Sequence, residues 1–127
     1  MPDDRLGRAQ VLQWMFFEQY SHEPYVATPR YILKHLAADG PRRAELPDRL
    51  ARGRAALGVM ETHLASRSWF VGDRCTIADV ALYAYTHVAD EATLDLAPYT
   101  AVRAWLARVA SEPGHVPIGW RPQASNG

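Results

Sequence analysis

The stretch "GDRCTIADVALYAY", residues 72–85, combines a turn, a helix start and an apolar run. Thr76 suits the N-cap position, since its hydroxyl can accept a hydrogen bond from the backbone N–H of Asp79. Asp79 can accept in return from the N–H of Thr76, which predicts a capping box, and its charge suits the positive first turn of a helix. Cys75 and Val80 occupy the two positions of a hydrophobic staple. The stretch therefore predicts a helix that begins at Thr76.

Helical patterns cover nearly the whole chain on either side of this stretch. The clearest is a stripe with spacings of 4, 3, 4, 3 and 4, formed by Leu46, Leu50, Gly53, Leu57, Met60 and Leu64. Gly53 and Gly58 weaken that helix, so we expect a neighbour to pack closely there. Pro24 predicts an interruption or a kink after the first helix. The sequence predicts an all-α helical bundle without β-sheet, with five main helices: 3 or 4 to about 20, about 25–38, 46–64, 76 to about 89, and 98 to about 110.

Two of these predicted helices are apolar on more than one side. The helix from Thr76 has apolar residues all round, which is typical of the central, buried helix of a bundle. The first helix is nearly encircled by large apolar residues in "LQWMFF", residues 12–17. This pattern predicts that the first helix is covered on more than one side, either in a homodimer or by a missing partner surface.

The composition excludes several classes of protein. The chain has 127 residues, the length of one domain, and its 14 basic and 14 acidic residues cancel. A net charge of zero provides no electrostatic attraction to nucleic acid or to an anionic membrane. The segment "VLQWMFF" is far shorter than the roughly 20 residues that span a bilayer, and "MPDDRLGRAQ" lacks the apolar core of a signal peptide. Cys75 is the single cysteine, which excludes an internal disulfide. These observations predict a soluble, cytoplasmic protein.

Three segments in order resemble the C-terminal, all-helical domain of cytosolic glutathione S-transferases of the bacterial type. In that family a G-D-x-x-[ST]-x-A-D box caps the central helix, and it is matched here by Gly72, Asp73, Thr76, Ala78 and Asp79. A Pro-Tyr pair and an R-x-W-x-x-R helix follow, matched by Pro98, Tyr99, Arg103, Trp105 and Arg108. The segment "LGRAQVLQWMFFEQYSHEPYVA", residues 6–27, is similar to the first helix of that domain. The box alone occurs by chance in many proteins, whereas the three segments in order are specific. The resemblance covers residues 2–118 and predicts a helical domain at 1–118 and a C-terminal tail at 119–127.

The resemblance implies that the glutathione site lies mostly in a thioredoxin-like domain, which is N-terminal in the family and supplies the thiol-activating residue. Nothing in these 127 residues corresponds to that domain, so we expect it to be absent. Glutathione is then a co-substrate of the intact enzyme, and none is expected to bind to this chain alone. We also expect no catalytic residue within it. The sequence departs from the family at Cys75, where a larger apolar residue is more usual.

One candidate substrate-binding residue is a histidine in "YSHEPY", residues 20–25. In the beta class of the family a histidine at this place faces the active-site cleft near the bound thiol, and the resemblance places His22 there. Glu23 stands where that class often has a lysine. A histidine could bond a thiolate or the glutathione backbone. Alternatively, His22 bonds Glu18, one turn earlier, or caps the end of the helix.

Four aromatic residues are further candidates for substrate binding. Tyr20 and Tyr25 are expected either to line the cleft as walls with a polar tip or to pack in the core. Trp14 and Phe17 are expected to line the cleft, to lie at a dimer interface or to form core.

Other reactive side chains form no recognisable site in the sequence. Glu18 and His22, four positions apart, could form half a metal site, but no second pair at helical spacing completes it, so no metal is predicted. Cys75 lies beside a helix start, which lowers the pKa of a thiol, and is either reactive or, as a staple residue, buried and inert.

Two functions of different classes follow from these residues. In the first, the chain is the half of a glutathione S-transferase that holds a small hydrophobic electrophile beside the thiol and forms the homodimer. The isolated chain is then expected to be inactive. In the second, the chain is a non-catalytic, stand-alone protein-interaction module with the same fold, as found in translation factors and synthetase complexes.

Overall fold

Helical backbone accounts for most of the chain, as the spacing of its apolar residues predicts. The computed structural model describes residues 1–122, and no strand occurs among them. Residues 123–127 of the predicted tail lie outside that range. The predicted all-α bundle is confirmed. Its α-helices are α1 (Arg5–Phe17), α2 (Glu23–His35), α3 (Leu46–Leu64), α4 (Ile77–Thr86) and α5 (Thr100–Ala110), with a π-helical segment at Glu18–His22 and 3₁₀ turns at Pro41–Glu45 and Ala89–Ala92.

The first two predicted helices form one continuous rod, so the five α-helices make four separate rods. Asp4 caps α1, because its Oδ1 accepts a hydrogen bond from the N–H of Gly7 at 2.7 Å. The rod then passes through the π-helical segment, after which the N–H of Glu23 donates to the carbonyl of Glu18. Pro24 lies in the first turn of α2, where its missing N–H removes no α-helical hydrogen bond. The α-helical pattern is interrupted just before Pro24, as predicted, because a π-helical segment lies between α1 and α2, although the backbone stays helical throughout.

The packing of α3 against α2 depends on one glycine. A Cβ atom on Gly53 would lie 2.4 Å from the carbonyl oxygen of Tyr25, so that only glycine permits the backbones to approach this closely. A Cβ atom on Gly58 would meet nothing within 4 Å. The close neighbour expected at both glycines is present at Gly53 and absent at Gly58. The predicted stripe of α3 faces the core, where Leu57 and Met60 are fully buried.

The start of α4 contains the capping box and a wider network around Asp79. The hydroxyl of Thr76 accepts from the N–H of Ala78 at 3.3 Å, and Asp79 Oδ2 accepts from the N–H of Thr76 at 2.8 Å. The other oxygen, Oδ1, accepts from the N–H of Phe70 at 3.1 Å and from the indole Nε1–H of Trp105 at 2.9 Å. Asp79 is fully buried, so these donors replace the water that a carboxylate otherwise requires. One side chain thus joins α4 to α5 and to the loop before α4.

Only one face of α4 is buried. Leu82 and Thr86 face the core, whereas Ile77 is 43% and Val80 59% exposed. The sequence predicts a helix that is buried all round, and this is wrong within the described chain because nothing there covers the second apolar side. Since most of Val80 is in solvent, the staple predicted between Val80 and Cys75 buries little of it. Cys75 is partly buried against the core instead.

The start of α5 is capped from another helix. Helix α5 begins at Thr100, two residues after the predicted Pro98. The carboxylate of Glu61, on α3, accepts from the backbone N–H groups of Ala101 and Val102, both at 2.9 Å. A negative charge at a helix N-terminus is favourable, so Glu61 fixes α5 against α3.

Candidate functional site

His22 is fully buried and does not face an open cleft in the described chain. Its Nε2 lies 2.8 Å from Oγ1 of Thr86 on α4, and its Nδ1 has no hydrogen-bond partner. The alternative bond to Glu18 and the alternative helix cap by the His22 side chain are not seen, and a place beside a cleft between the two halves stays a prediction. Burial lowers the pKa of His22 to about 4, because the charged imidazole loses its water. The imidazole is therefore neutral at pH 7.

The two candidate tyrosines lie in different surroundings. Tyr20, in the π-helical segment, is 82% exposed. Tyr25 is half-buried, and its hydroxyl accepts from Arg52 at 3.4 Å while the guanidinium lies 5.4 Å from the ring centre. Tyr20 is thus free to touch a ligand, whereas Tyr25 is held by a cation.

The groove beside Tyr25 is polar and its charges are paired. It has a volume of about 400 Å³ and is lined by Tyr25, Glu45, Asp48, Arg49 and Arg52. Hydrogen bonds from two arginines, Arg42 and Arg49, lower the pKa of Glu45 to about 2. Arg52 likewise pairs with Asp48 at 3.0 Å. Because its charges satisfy one another, this groove offers little to an apolar electrophile.

Trp14 and Phe17 belong to an aromatic cluster between α1 and α3. The Trp14 ring lies 5.2 Å from that of Phe17 and 4.6 Å from those of His63 and Phe70, between ring centres. His63 is oriented by the carbonyl of Phe70, which lies 2.9 Å from its Nε2. Both Trp14 and Phe17 are half-buried against the core, so core packing accounts for most of their surface.

An apolar groove runs beside this cluster. It has a volume of about 650 Å³ and is lined by Trp14, Ala55, Gly58, Val59, Thr62, His63 and Arg67. Gly58 opens its floor, since no atom lies where a Cβ would be, and Val59 is 49% exposed at its edge. We name it the α1–α3 groove.

A second apolar surface lies on α1 and α4, and sequence reasoning found only half of it. We name it the apolar outer face. It consists of five exposed apolar residues, Leu12, Phe16, Ile77, Val80 and Ala84. Phe16 is 69% exposed. The α1 half is indicated in the sequence by the large apolar residues that nearly encircle the first predicted helix. The α4 half was interpreted as core, because a sequence pattern cannot distinguish a buried side from an uncovered one.

The remaining reactive groups form no site within the described residues. Burial and the nearby carboxylates of Asp79 and Glu112 raise the pKa of the Cys75 thiol, which disfavours the reactive thiolate. Among residues 1–122, no three His, Cys, Asp or Glu side chains lie close enough together to hold a metal ion. In the same range, no helix has both the length and the apolarity needed to cross a bilayer.

Comparison with known proteins identifies the family. The model of the family "Glutathione S-transferase, C-terminal domain" matches residues 13–113. The chain belongs to this family, and the matched range includes the capping box at the start of α4.

Individual relatives agree with this assignment. A solved glutathione S-transferase from Xanthobacter autotrophicus Py2 is 52% identical, with a TM-score of 0.89 over 94% of this chain and 58% of that one. A glutathione S-transferase-like protein of Fusarium sp is 32% identical over 83% of this chain and 48% of its own length. Elongation factor 1-gamma of Artemia salina is 31% identical over 68% of this chain and 21% of its own length. The chain thus spans about half the length of the transferase relatives that it matches.

Proposed function

We propose that the chain is the electrophile-binding half of a glutathione S-transferase, which works beside a thioredoxin-like half that binds glutathione. The observation that supports this most directly is the apolar outer face, where Phe16, Val80 and their neighbours lie in solvent. Because α1 and α4 pack against each other, exposed apolar side chains on both can form a patch of the kind that is typical of interaction sites. A thioredoxin-like half that packs on this face would cover it and form a cleft along α1.

The proposed chemistry needs little from this half beyond position. The thiolate sulfur of glutathione, supplied and activated by the other half, attacks an electrophilic carbon; a carbon–sulfur bond forms and the leaving group departs. This half holds the electrophile in reach, which converts a bimolecular encounter into a local one. Tyr20 is the proposed aromatic contact, because its ring is exposed and its segment is anchored. His22 supports that segment through Thr86 rather than touching substrate.

The decisive experiment is reconstitution. The purified chain, mixed with glutathione and 1-chloro-2,4-dinitrobenzene, is expected to show only the uncatalysed rate. The same chain joined to the thioredoxin-like half of the Xanthobacter autotrophicus transferase is expected to catalyse conjugation. In that fusion Tyr20→Ala should raise KM for the aryl halide, whereas Tyr31→Ala, an exposed tyrosine on α2, should not.

Two results would contradict this proposal. Conjugation by the isolated chain would show that the thiol is activated within it. A folded fusion that binds glutathione but fails to conjugate several electrophiles would show that this half does not hold the electrophile.

The proposed oligomer is a homodimer formed through the α1–α3 groove. Its apolar lining, the exposed edge at Val59 and the open floor at Gly58 suit a second copy of the same groove. A two-fold interface brings identical patches together, so the apolar lining of one copy would meet the apolar lining of the other.

The alternative proposal is a non-catalytic interaction module. The similarity to elongation factor 1-gamma supports this alternative. The two functions differ in the DNA upstream of Met1. A thioredoxin-like reading frame that continues into Met1 supports the transferase, whereas a ribosome-binding site and start codon at Met1 support the module.

A further inference from the structure

The imidazole of His22 joins the π-helical segment to α4, and the hydrogen bonds define its tautomer. Its Nε2 lies 2.8 Å from Thr86 Oγ1, and the same hydroxyl lies 2.6 Å from the carbonyl oxygen of Leu82. A carbonyl can only accept, and a hydroxyl has one hydrogen to donate. Thr86 therefore donates to Leu82 and accepts from His22. His22 is the neutral tautomer with its hydrogen on Nε2.

The other ring nitrogen makes protonation costly in this position. Nδ1 is buried without a partner, as a bare acceptor. A proton on Nδ1 would create a cation with an unpaired N–H in the core. The lowered pKa of His22 agrees with this geometry, and burial is its cause.

No neighbouring charge is bonded to the imidazole to offset that cost. In the π-helical segment, Glu18 accepts from the side chain of Gln19. On α2, burial and the charge of Glu18 raise the pKa of Glu23, whereas Arg49 of α3 lowers it. Arg49 also donates a hydrogen bond to the carbonyl of Pro24. These groups interact with one another rather than with His22.

The two remaining helices provide no compensating charge either. On α4 the single charged residue is Asp79, which is engaged by Thr76, Phe70 and Trp105. On α1 the charged residues lie in the first turn, and Arg8 precedes His22 by 14 positions, or about 20 Å of helix.

The π-helical segment is where the backbone departs from the ordinary α-helical spacing. A π-helical turn contains one residue more than an α-helical turn, and such segments are rare and frequently lie at functional sites. In the proposed open state the segment takes up the ordinary α-helical spacing, which changes the directions of its side chains and separates His22 from Thr86.

We propose that His22 and Thr86 form an acid-sensitive latch, which holds the π-helical segment against α4 while the imidazole is neutral and releases it when Nδ1 takes up a proton. The closed state is fully favoured above the ordinary histidine pKa of 6.5 and is lost progressively as pH falls toward 4. From these two pKa values, the opening equilibrium rises about 20-fold between pH 7 and pH 5.

Amide hydrogen exchange, followed by NMR on the full chain, tests the latch. Between pH 7 and pH 5 the protection factors of residues 18–23 should fall about 20-fold, while those of Leu57 and Met60 in α3 remain unchanged. His22→Gln keeps an N–H donor for Thr86 but cannot titrate, so its segment should keep its protection. His87→Gln is the matched control, because His87 bonds only the carbonyl of Tyr83 on its own helix, and it should behave like the parent chain.

Three outcomes would overturn the latch. One is equal loss of protection in the segment and in α3, which would mean global unfolding. Another is an unchanged acid response in His22→Gln. The third is a set of imidazole ¹⁵N shifts that show a pKa near 6.5 for His22, or that show its hydrogen on Nδ1. This measurement uses the parent chain alone, so it does not depend on whether the variant folds.

Discussion

Asp79 and Trp105 meet in the core, where the indole N–H of the α5 residue donates to the carboxylate of the α4 residue at 2.9 Å. The two positions are 26 residues apart, and both are fully buried. The carboxylate that begins α4 therefore also determines where α5 packs.

Removal of Asp79 should be far more costly than loss of an ordinary helix cap. Asp79→Ala leaves the N–H groups of Phe70, Thr76 and Trp105 buried without an acceptor, so we expect the free energy of unfolding to fall by about 3–5 kcal/mol. Urea denaturation measures this. Asp73→Ala, at an exposed position in the same loop, should change it by less than about 0.5 kcal/mol. A loss of about 1 kcal/mol in Asp79→Ala would show that the network contributes only as a cap.

A double-mutant cycle isolates the contact between the two helices. Trp105→Phe removes the indole N–H but keeps an aromatic ring, and hydrogen bonds to charged groups contribute about 1.5–3 kcal/mol. We therefore expect a coupling energy of about 1.5–3 kcal/mol between Trp105→Phe and Asp79→Ala. It is obtained from the unfolding free energies of the parent chain, the two single variants and the double variant. Additive effects would mean that the indole bond contributes nothing to stability.

Two glycines in one helix should respond to alanine with opposite signs. Gly53→Ala forces a Cβ against the carbonyl of Tyr25 and should destabilise by about 1–3 kcal/mol. Gly58→Ala has open space and gains helix propensity, so it should stabilise by about 0.5–1 kcal/mol. Thermal melts of both variants at one protein concentration provide the comparison. Destabilisation by Gly58→Ala at concentrations where the chain self-associates would indicate that the open floor is occupied by a partner.

Because Glu61 of α3 caps the start of α5, neutralising Glu61 should lower stability more than neutralising Glu112 at the other end of α5. Glu61→Gln weakens two hydrogen bonds at the positive start of α5 and should cost about 0.5–1 kcal/mol. Glu112→Gln, just beyond the negative end of the same helix, should be neutral or slightly stabilising. Equal effects in urea titrations would argue against a role for the helix dipole.

The proposed dimer depends on the α1–α3 groove. Val59→Glu places a charge at its edge and should convert a dimer into a monomer in sedimentation equilibrium. Arg103→Glu, which is exposed on α5 and does not line the groove, should leave the assembly unchanged. A parent chain that is monomeric at high concentration would contradict the proposed dimer directly.

Local patterns predicted the parts of the fold that depend on residues close in sequence. Neighbouring apolar residues of α3 lie three or four positions apart, and Thr76 and Asp79 lie three positions apart. Each of these relationships spans one helical turn, so the sequence alone predicts it. The bonds from Asp79 to Trp105 and from Glu61 to Ala101 join residues 26 and 40 positions apart, and no helical periodicity indicates them. For this reason Asp79 was expected to act only as a cap.

The surroundings of the candidate site residues also depend on contacts that are distant in sequence. His22 was placed in a cleft by resemblance, but its partner Thr86 is 64 positions away. Apolar residues at helical spacing predict which sides avoid water without saying whether this chain or another covers them. The apolar pattern of α4 therefore predicts Val80 as buried, although it lies in solvent.

Because Phe16 and Val80 lie in water, a newly made copy of this chain is vulnerable until something covers them. Exposed apolar side chains are what chaperones retain and what proteases exploit after local opening. The abundance of the chain in a cell should then depend on the supply of its partner, and an orphan copy should turn over faster than a paired one.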